Sequence, residues 1–194
     1  MRNKRFIILI SGTPGTGETT IAQLLKEKIT AKHINLTEIA IKNNFILETD
    51  EERQTKVVDI EKLISFIINL INNIPDDIII EGHYADIIPD SYTSILIILR
   101  TEPHVLEQRL KEKHFVLSKI RENLQSEILG SCTSSALETH NQDKIYEVDN
   151  TSASIQEVLE IIITLIEKKP PSNVGEINWM KKLEENNELL KFFN

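Results

Sequence analysis

The stretch Gly12-Thr13-Pro14-Gly15-Thr16-Gly17-Glu18-Thr19-Thr20 constrains the fold most, because it follows the phosphate-binding pattern G-x-x-x-x-G-K-[ST] at every place but the lysine. Glu18 stands in that place. In such a loop, backbone N–H groups and the next helix's N-terminus cradle phosphates, the lysine reaches them, and the following hydroxyl binds Mg²⁺. The run Arg5-Phe6-Ile7-Ile8-Leu9-Ile10 before it is short, apolar and β-branched, the mark of a buried parallel strand. After it, Ile21, Ala22, Leu24, Leu25 and Ile29 recur at helical spacing and predict a helix over 19–30. A plain glycine turn is the alternative; both glycines and Thr19 at the right spacing favour the phosphate loop.

A carboxylate in the lysine's place sets negative charge against phosphate. One unit pair at ~4 Å and an effective dielectric of ~20 is worth roughly 4 kcal/mol, so a lost attraction plus a new repulsion costs several kcal/mol. Against this, an acid in a helix's first turn gains roughly 0.3–1 kcal/mol from the dipole, so the empty protein is expected to tolerate Glu18 well.

Further elements alternate. Strands are predicted at 32–36, 77–81, 94–99 and 144–148, and helices at 54–74, 102–113, 118–138 and 154–167. Ser154 and Glu157 have capping-box spacing at the start of the last helix. This βαβα order predicts an α/β fold with a parallel sheet covered by helices on both faces. Pro170-Pro171-Ser172-Asn173 then interrupts the pattern, dividing a core over 1–169 from an extension over 170–194.

The whole-chain balance narrows the partners. A length of 194 residues suits one domain with a small appendage. A net charge of −8 without a dense Lys/Arg cluster argues against strong direct nucleic-acid binding or an anionic membrane surface. Cys132 is the only cysteine, which excludes an intrachain disulfide and a cysteine zinc site. The basic start Met1–Lys4 is followed by an apolar run too short for a secretory signal or a membrane span, so a cytoplasmic location is expected.

Candidate chemistry clusters around the loop. Ile78-Ile79-Ile80-Glu81 is an apolar strand ending in an acid, where Glu81 either assists Mg²⁺ or simply faces water. His83 either orients water or a phosphate, or is structural, and Asp86 is a weaker candidate of the same kind. Arg100 ends a strand where a parallel sheet opens its ligand crevice. Arg109, Lys113 and Arg121 border the segment His114–Leu117 and suit a basic lid over transferring phosphate; surface salt bridges are the alternative for each. Asp59, on the expected helix over 54–74, either faces an acceptor or lies on a solvated face. Beyond the proline break, Trp179 and the apolar residues Leu183, Leu189, Leu190, Phe192 and Phe193 make the extension partly amphipathic, suited to packing on the core or docking a partner.

Several stretches together carry a resemblance. Ser11–Gly17, Val58–Leu63, Ile80–Asp86, Leu99–Pro103, Gln108–Leu110, Lys119–Leu124, Ser126–Leu129 and Tyr146–Asp149 resemble the small, atypical adenylate kinases of archaea and the eukaryotic nucleus. The resemblance spans residues 12 to about 168. It implies a nucleoside monophosphate kinase fold: a parallel five-stranded sheet flanked by helices, an acceptor-binding insertion over 33–56 and a short lid over 112–122. It also implies phosphate exchange between ATP and AMP or another nucleoside monophosphate, ATP hydrolysis, Mg²⁺, and a part in small-ribosomal-subunit maturation through a small-subunit ribosomal protein. On this resemblance Gly12, Gly15, Gly17, Glu18, Thr19, Thr20, Arg100 and Lys113 hold ATP, and Thr19 and Glu81 serve the metal. Glu18, His83, Arg109, Lys113 and Arg121 take the catalytic places, and Asp59 contacts the acceptor. Three residues depart from the family pattern: Glu18, Lys113 for an arginine opening the lid, and His114 for the glycine after it. Glu18 leaves two readings open: an enzyme slowed by one charge, or a partner-binding assembly factor that has given up turnover.

Overall fold

In the computed structural model, which describes residues 5–50 and 55–193, a five-stranded parallel sheet forms the centre, in the order β2-β5-β1-β6-β7. Its strands are β1 (Ile7–Gly12), β2 (Lys32–Asn35), β5 (Ile78–Glu81), β6 (Ile95–Arg100) and β7 (Ile145–Asp149). The middle strand β1 is buried on both faces, which is why it carries no alternating polar residues. Ile7, Leu9, Ile78, Ile80, Leu96 and Ile98 point to one face, against α3 (Ile60–Asn73) and α6 (Ser131–Thr139). Ile8, Ile10, Ile79, Ile95, Ile97 and Leu99 point to the other, against α1 (Glu18–Ile29) and α7 (Ile155–Lys168). The Ser154–Glu157 capping box opens α7 as the spacing predicts.

Register decides where chemistry is placed. Ile10 pairs with Glu81, Gly12 with Leu99 and Arg100 with Asp149, so the carboxyl ends of β1, β5, β6 and β7 lie along one edge. The loops leaving that edge meet there, as open α/β sheets require of a ligand crevice.

Two helix expectations need correction. The helix predicted over 54–74 starts only at Ile60, because Asp59 is its N-cap and accepts the Lys62 N–H through its carboxylate at 3.1 Å. Ahead of it lie α2 (Leu36–Lys42) and an antiparallel hairpin of β3 (Ile46–Asp50) and β4 (Thr55–Val58); Gln54, the first residue of the expected helix, lies outside the described residues. The helix predicted over 118–138 is two helices, α5 (Leu117–Leu129) and α6, divided at Gly130, whose left-handed φ of 65° turns the chain.

The segment after the proline pair lies against the core. It carries α8 (Trp179–Glu185) and α9 (Leu190–Phe193). Leu183 and Phe192 share a cluster with Leu106 and Leu110 of α4 (Pro103–Glu112) and with Ile120, Leu124 and Ile128 of α5.

Candidate functional site

The phosphate loop spans the gap from β1 to α1, and its shape depends on its glycines. A Cβ at Gly12 would sit 2.4 Å from Thr16 Oγ1 and 2.8 Å from the Leu99 carbonyl oxygen, so no larger residue fits. Gly17, the N-cap of α1, has a left-handed φ of 107°. The Thr16 N–H closes the turn by donating to the Thr13 carbonyl at 3.0 Å. Three residues hold the loop from outside. His83 donates from Nδ1 to the Gly12 carbonyl at 3.0 Å, Thr13 donates to Glu127 Oε2 at 2.6 Å, and Asn150 Nδ2 donates to the Thr16 carbonyl.

Glu18 turns back into this loop. Its Oε2 accepts the Gly17 N–H at 3.0 Å, placing a carboxylate on a backbone donor that a phosphate would use. The side chain is buried, and that burial pushes its carboxyl up to about 7. The Glu18 and Gly17 N–H groups work against this rise, and the charge of Glu81 adds to it. This burial works against the helix-dipole gain that the sequence offers Glu18. The buried Thr16 hydroxyl leans toward the same carboxylate but makes no hydrogen bond of acceptable geometry.

These groups can be tested against a nucleotide. The amides and the orphaned Thr16 hydroxyl are donors suited to phosphate oxygens; the charge now among them is not. For Mg²⁺, Thr19 is exposed on the first turn of α1, and Glu81 ends the neighbouring strand buried. Both offer hard oxygen ligands. Among the described residues no group of three or more His, Cys, Asp or Glu could hold a metal ion. Glu81 Oε1 also accepts from Asn35 and lies 3.5 Å from His33 Nε2.

Beside the loop opens a cavity of about 350 Å³, lined by Pro14, Leu36, Ala40, Ile46, Val58 and Leu63, with His83, Tyr84, Lys56 and Lys119 at its polar positions. Since the Gly12 carbonyl can only accept, His83 carries its proton on Nδ1, leaving Nε2 as an acceptor. Cys132 Sγ lies 3.6 Å from that Nδ1, and burial, helped by the charge of Glu127, pushes its thiol up to about 12, so it is no nucleophile.

The predicted site residues divide. Gly12, Gly15, Gly17, Glu18, Thr19 and Thr20 lie on the loop and the first turn of α1, with Glu81 and His83 beside them. Arg100 does not face the crevice, which corrects the expectation that it binds phosphate: it is 3% exposed and bonded to Glu127 and Glu147. Arg109 is half-buried and donates to the Asn150 carbonyl at 2.7 Å, beneath the loop. Lys113 caps the end of α4 and is exposed, and His114 after it has the left-handed φ of 58° that a glycine would adopt easily. Arg121 borders a different groove with His104, Glu188 and Lys191, while Lys119, two residues earlier, lines the loop cavity. Asp59 uses its carboxylate on the α3 cap and on Lys62 Nζ at 2.7 Å. Asp86 accepts from Ser135 Oγ at 2.5 Å. Sequence reasoning missed Thr13, Lys56, Lys119, Glu127 and Asn150; of these only Thr13, inside the loop motif, carried a local signal.

The chain is similar to several known proteins. A family profile described as an AAA domain matches residues 8–130. A Methanocaldococcus jannaschii protein, provisionally named an adenylate kinase, is 33% identical over 175 residues, covering 90% of this chain and 93% of its own. The Caenorhabditis elegans adenylate kinase isoenzyme 6 homolog is 30% identical over 159 residues, covering 81% and 87%. Among solved structures, shikimate kinase from Bacteroides thetaiotaomicron matches with a TM-score of 0.59 at 16% identity, covering 84% of this chain and 98% of that one. A gluconokinase from Sinorhizobium meliloti gives 0.51, again at 16%, covering 85% and 94%. At such identities the structural likeness is one of fold.

Proposed function

The chain belongs to the AAA-domain family and to a group of small archaeal and eukaryotic proteins named as adenylate kinases, and from that premise we propose that it is a nucleoside monophosphate kinase. The reaction would be ATP + AMP to two ADP, with a side activity of ATP hydrolysis, and Glu18 would hold it far below the rate its fold could reach. The observation that supports this reading best is the shared edge, where a phosphate loop and a separate cavity of about 350 Å³ lie side by side, as in-line transfer between two substrates requires.

Each group would have a definite task. The loop amides and the Thr16 hydroxyl hold donor phosphates. His83, oriented by Gly12, presents Nε2 as an acceptor, and Lys56 and Lys119 line the cavity as cations for an acceptor phosphate. Thr19 and Glu81 would hold Mg²⁺, which neutralises phosphate charge when bound. Glu18 interferes twice, by removing the cation and by engaging the Gly17 amide itself.

A second reading, an assembly factor acting through a small-subunit ribosomal protein, draws support from that same obstruction. The net charge of −8 suits encounter with a basic partner.

Side-by-side measurement of Mg-ATP binding and AMP-dependent ADP formation tests the first reading. Glu18→Lys is expected to gain about a hundredfold or more in both, since several kcal/mol of repulsion become attraction. Glu18→Ala, which vacates the amides without adding a cation, should fall between. If neither variant binds nucleotide, the kinase reading is overturned.

A further inference from the structure

The loop's Thr13 is tied to the C-terminal segment through one carboxylate. Glu127 Oε2 accepts from Thr13 Oγ1 at 2.6 Å, while its Oε1 accepts from Arg100 Nε at 2.9 Å, the Thr101 N–H at 3.0 Å and the Trp179 indole N–H at 3.0 Å. Thr13, Arg100, Thr101, Glu127 and Trp179 are each no more than 5% exposed. We infer that Trp179 and Glu127 are positioning residues for the donor nucleotide: the indole N–H fixes the Glu127 carboxylate, which fixes the Thr13 end of the phosphate loop. The segment over 173–193 thus belongs to the donor site without touching nucleotide. The inference rests on the phosphate-loop reading of the site and adds a part of the chain to it.

Three observations separate this from simple packing. A carboxylate with four donors has one rotamer that satisfies them all, so losing the indole donor frees the orientation that Thr13 depends on. The same segment grips the network a second time: the Gly175 N–H donates to Glu147 Oε2 at 2.8 Å, and Asn173 bonds the Glu147 backbone in both directions at 2.8 and 2.9 Å. Glu147 is the other carboxylate on Arg100. Third, Leu183 of α8 and Phe192 of α9 share one apolar cluster with Leu106 and Leu110, the side chains that lie 3.0 Å from where a Cβ on Gly15 would be. The segment therefore joins the apolar cluster that lies beneath Gly15 as well as the network at Thr13.

The test compares Trp179→Phe, which keeps a ring but drops the N–H, with Thr13→Val, which keeps shape but drops the hydroxyl. Hydrogen exchange of the Thr13, Gly15, Thr16 and Gly17 amides in the native chain is the first readout, with the β3–β4 hairpin amides as reference. Each variant is expected to speed loop exchange roughly tenfold, about what one hydrogen bond to a charged group contributes, and the double variant no more than either alone. In the Glu18→Lys background, Kd for Mg-ATP should rise roughly tenfold while Kd for AMP stays within about twofold. A lower melting temperature with unchanged loop exchange and unchanged ATP affinity would overturn the inference, leaving the segment a stabiliser only. Should Trp179→Phe fail to fold, Thr13→Val alone decides, since it lies outside the C-terminal cluster. Faster loop exchange with no nucleotide binding by any Glu18→Lys form would sink the kinase reading and leave the positioning intact.

Discussion

Arg100 and Glu18 are both buried charges near the phosphate loop, yet their surroundings answer them in opposite ways. Burial works against the Arg100 guanidinium, but Glu127 and Glu147 more than offset it, and the group is held above its ordinary pKa. Burial pushes the Glu18 carboxyl up to about 7, with only backbone N–H groups and the Thr16 hydroxyl to oppose it and another acid, Glu81, close enough to raise it further. One charge is the centre of a satisfied network; the other has no cation paired with it among the described residues. The difference lies in what surrounds each charge: acids answer Arg100, while burial and a second acid work against Glu18.

The comparison breaks most sharply at Arg100. Arg100→Met leaves Glu127 and Glu147 buried and facing each other without a cation, and removal of one partner from such a network costs about 3–5 kcal/mol. Urea denaturation should show that loss. A cost under about 1 kcal/mol would mean that the two acids relax by taking up protons and that Arg100 is not the keystone of its region.

Glu18 should behave in the reverse sense. A carboxyl raised from 4.5 to about 7 on folding leaves the folded state holding a proton that the unfolded state has released. Stability is therefore fully present below about pH 4.5 and falls as pH rises to about 7. The deficit above pH 7 is about 3 kcal/mol, because each pH unit between those two values costs roughly 1.4 kcal/mol. Glu18→Gln, which cannot ionise, should match the native chain near pH 4 and exceed it by up to that amount at pH 8. Equal stabilities across the range would show that the loop amides satisfy the ionised carboxylate, and the contrast with Arg100 would collapse.

How much of this could be read beforehand depends on how far apart the partners lie in sequence. β1, the loop and α1 were legible because an apolar run, fixed glycines and 3.6-residue spacing are local signals, and the parallel sheet followed from the alternation of elements. The Ser154–Glu157 cap was legible for the same reason. The break at Gly130 carried a signal too, a glycine inside a helical pattern, which the longer apolar spacing on either side masked. The β3–β4 hairpin was obscured because Val57 and Val58 run directly into the apolar face of α3. Arg100 was not legible: its acids lie 27 and 47 residues away, and nothing in their spacing distinguishes a buried partner from a surface acid. The cavity beside the loop failed likewise, since Lys56 and Lys119 line it only through the fold.

The smallest expected effect supplies the reference for the other two. Lys111 Nζ meets Glu107 Oε1 at 2.5 Å on the surface of α4, with side chains 55% and 34% exposed. Water screens that pair whether it is made or broken, and ordering two long side chains costs most of what the attraction contributes. Lys111→Met is therefore expected to shift stability by less than about 0.5 kcal/mol in the same urea titrations. If it costs more than about 1 kcal/mol, exposed charge on this chain weighs as much as buried charge. The opposite responses of Arg100 and Glu18 would then need a cause other than desolvation, most directly the strain of the loop between them.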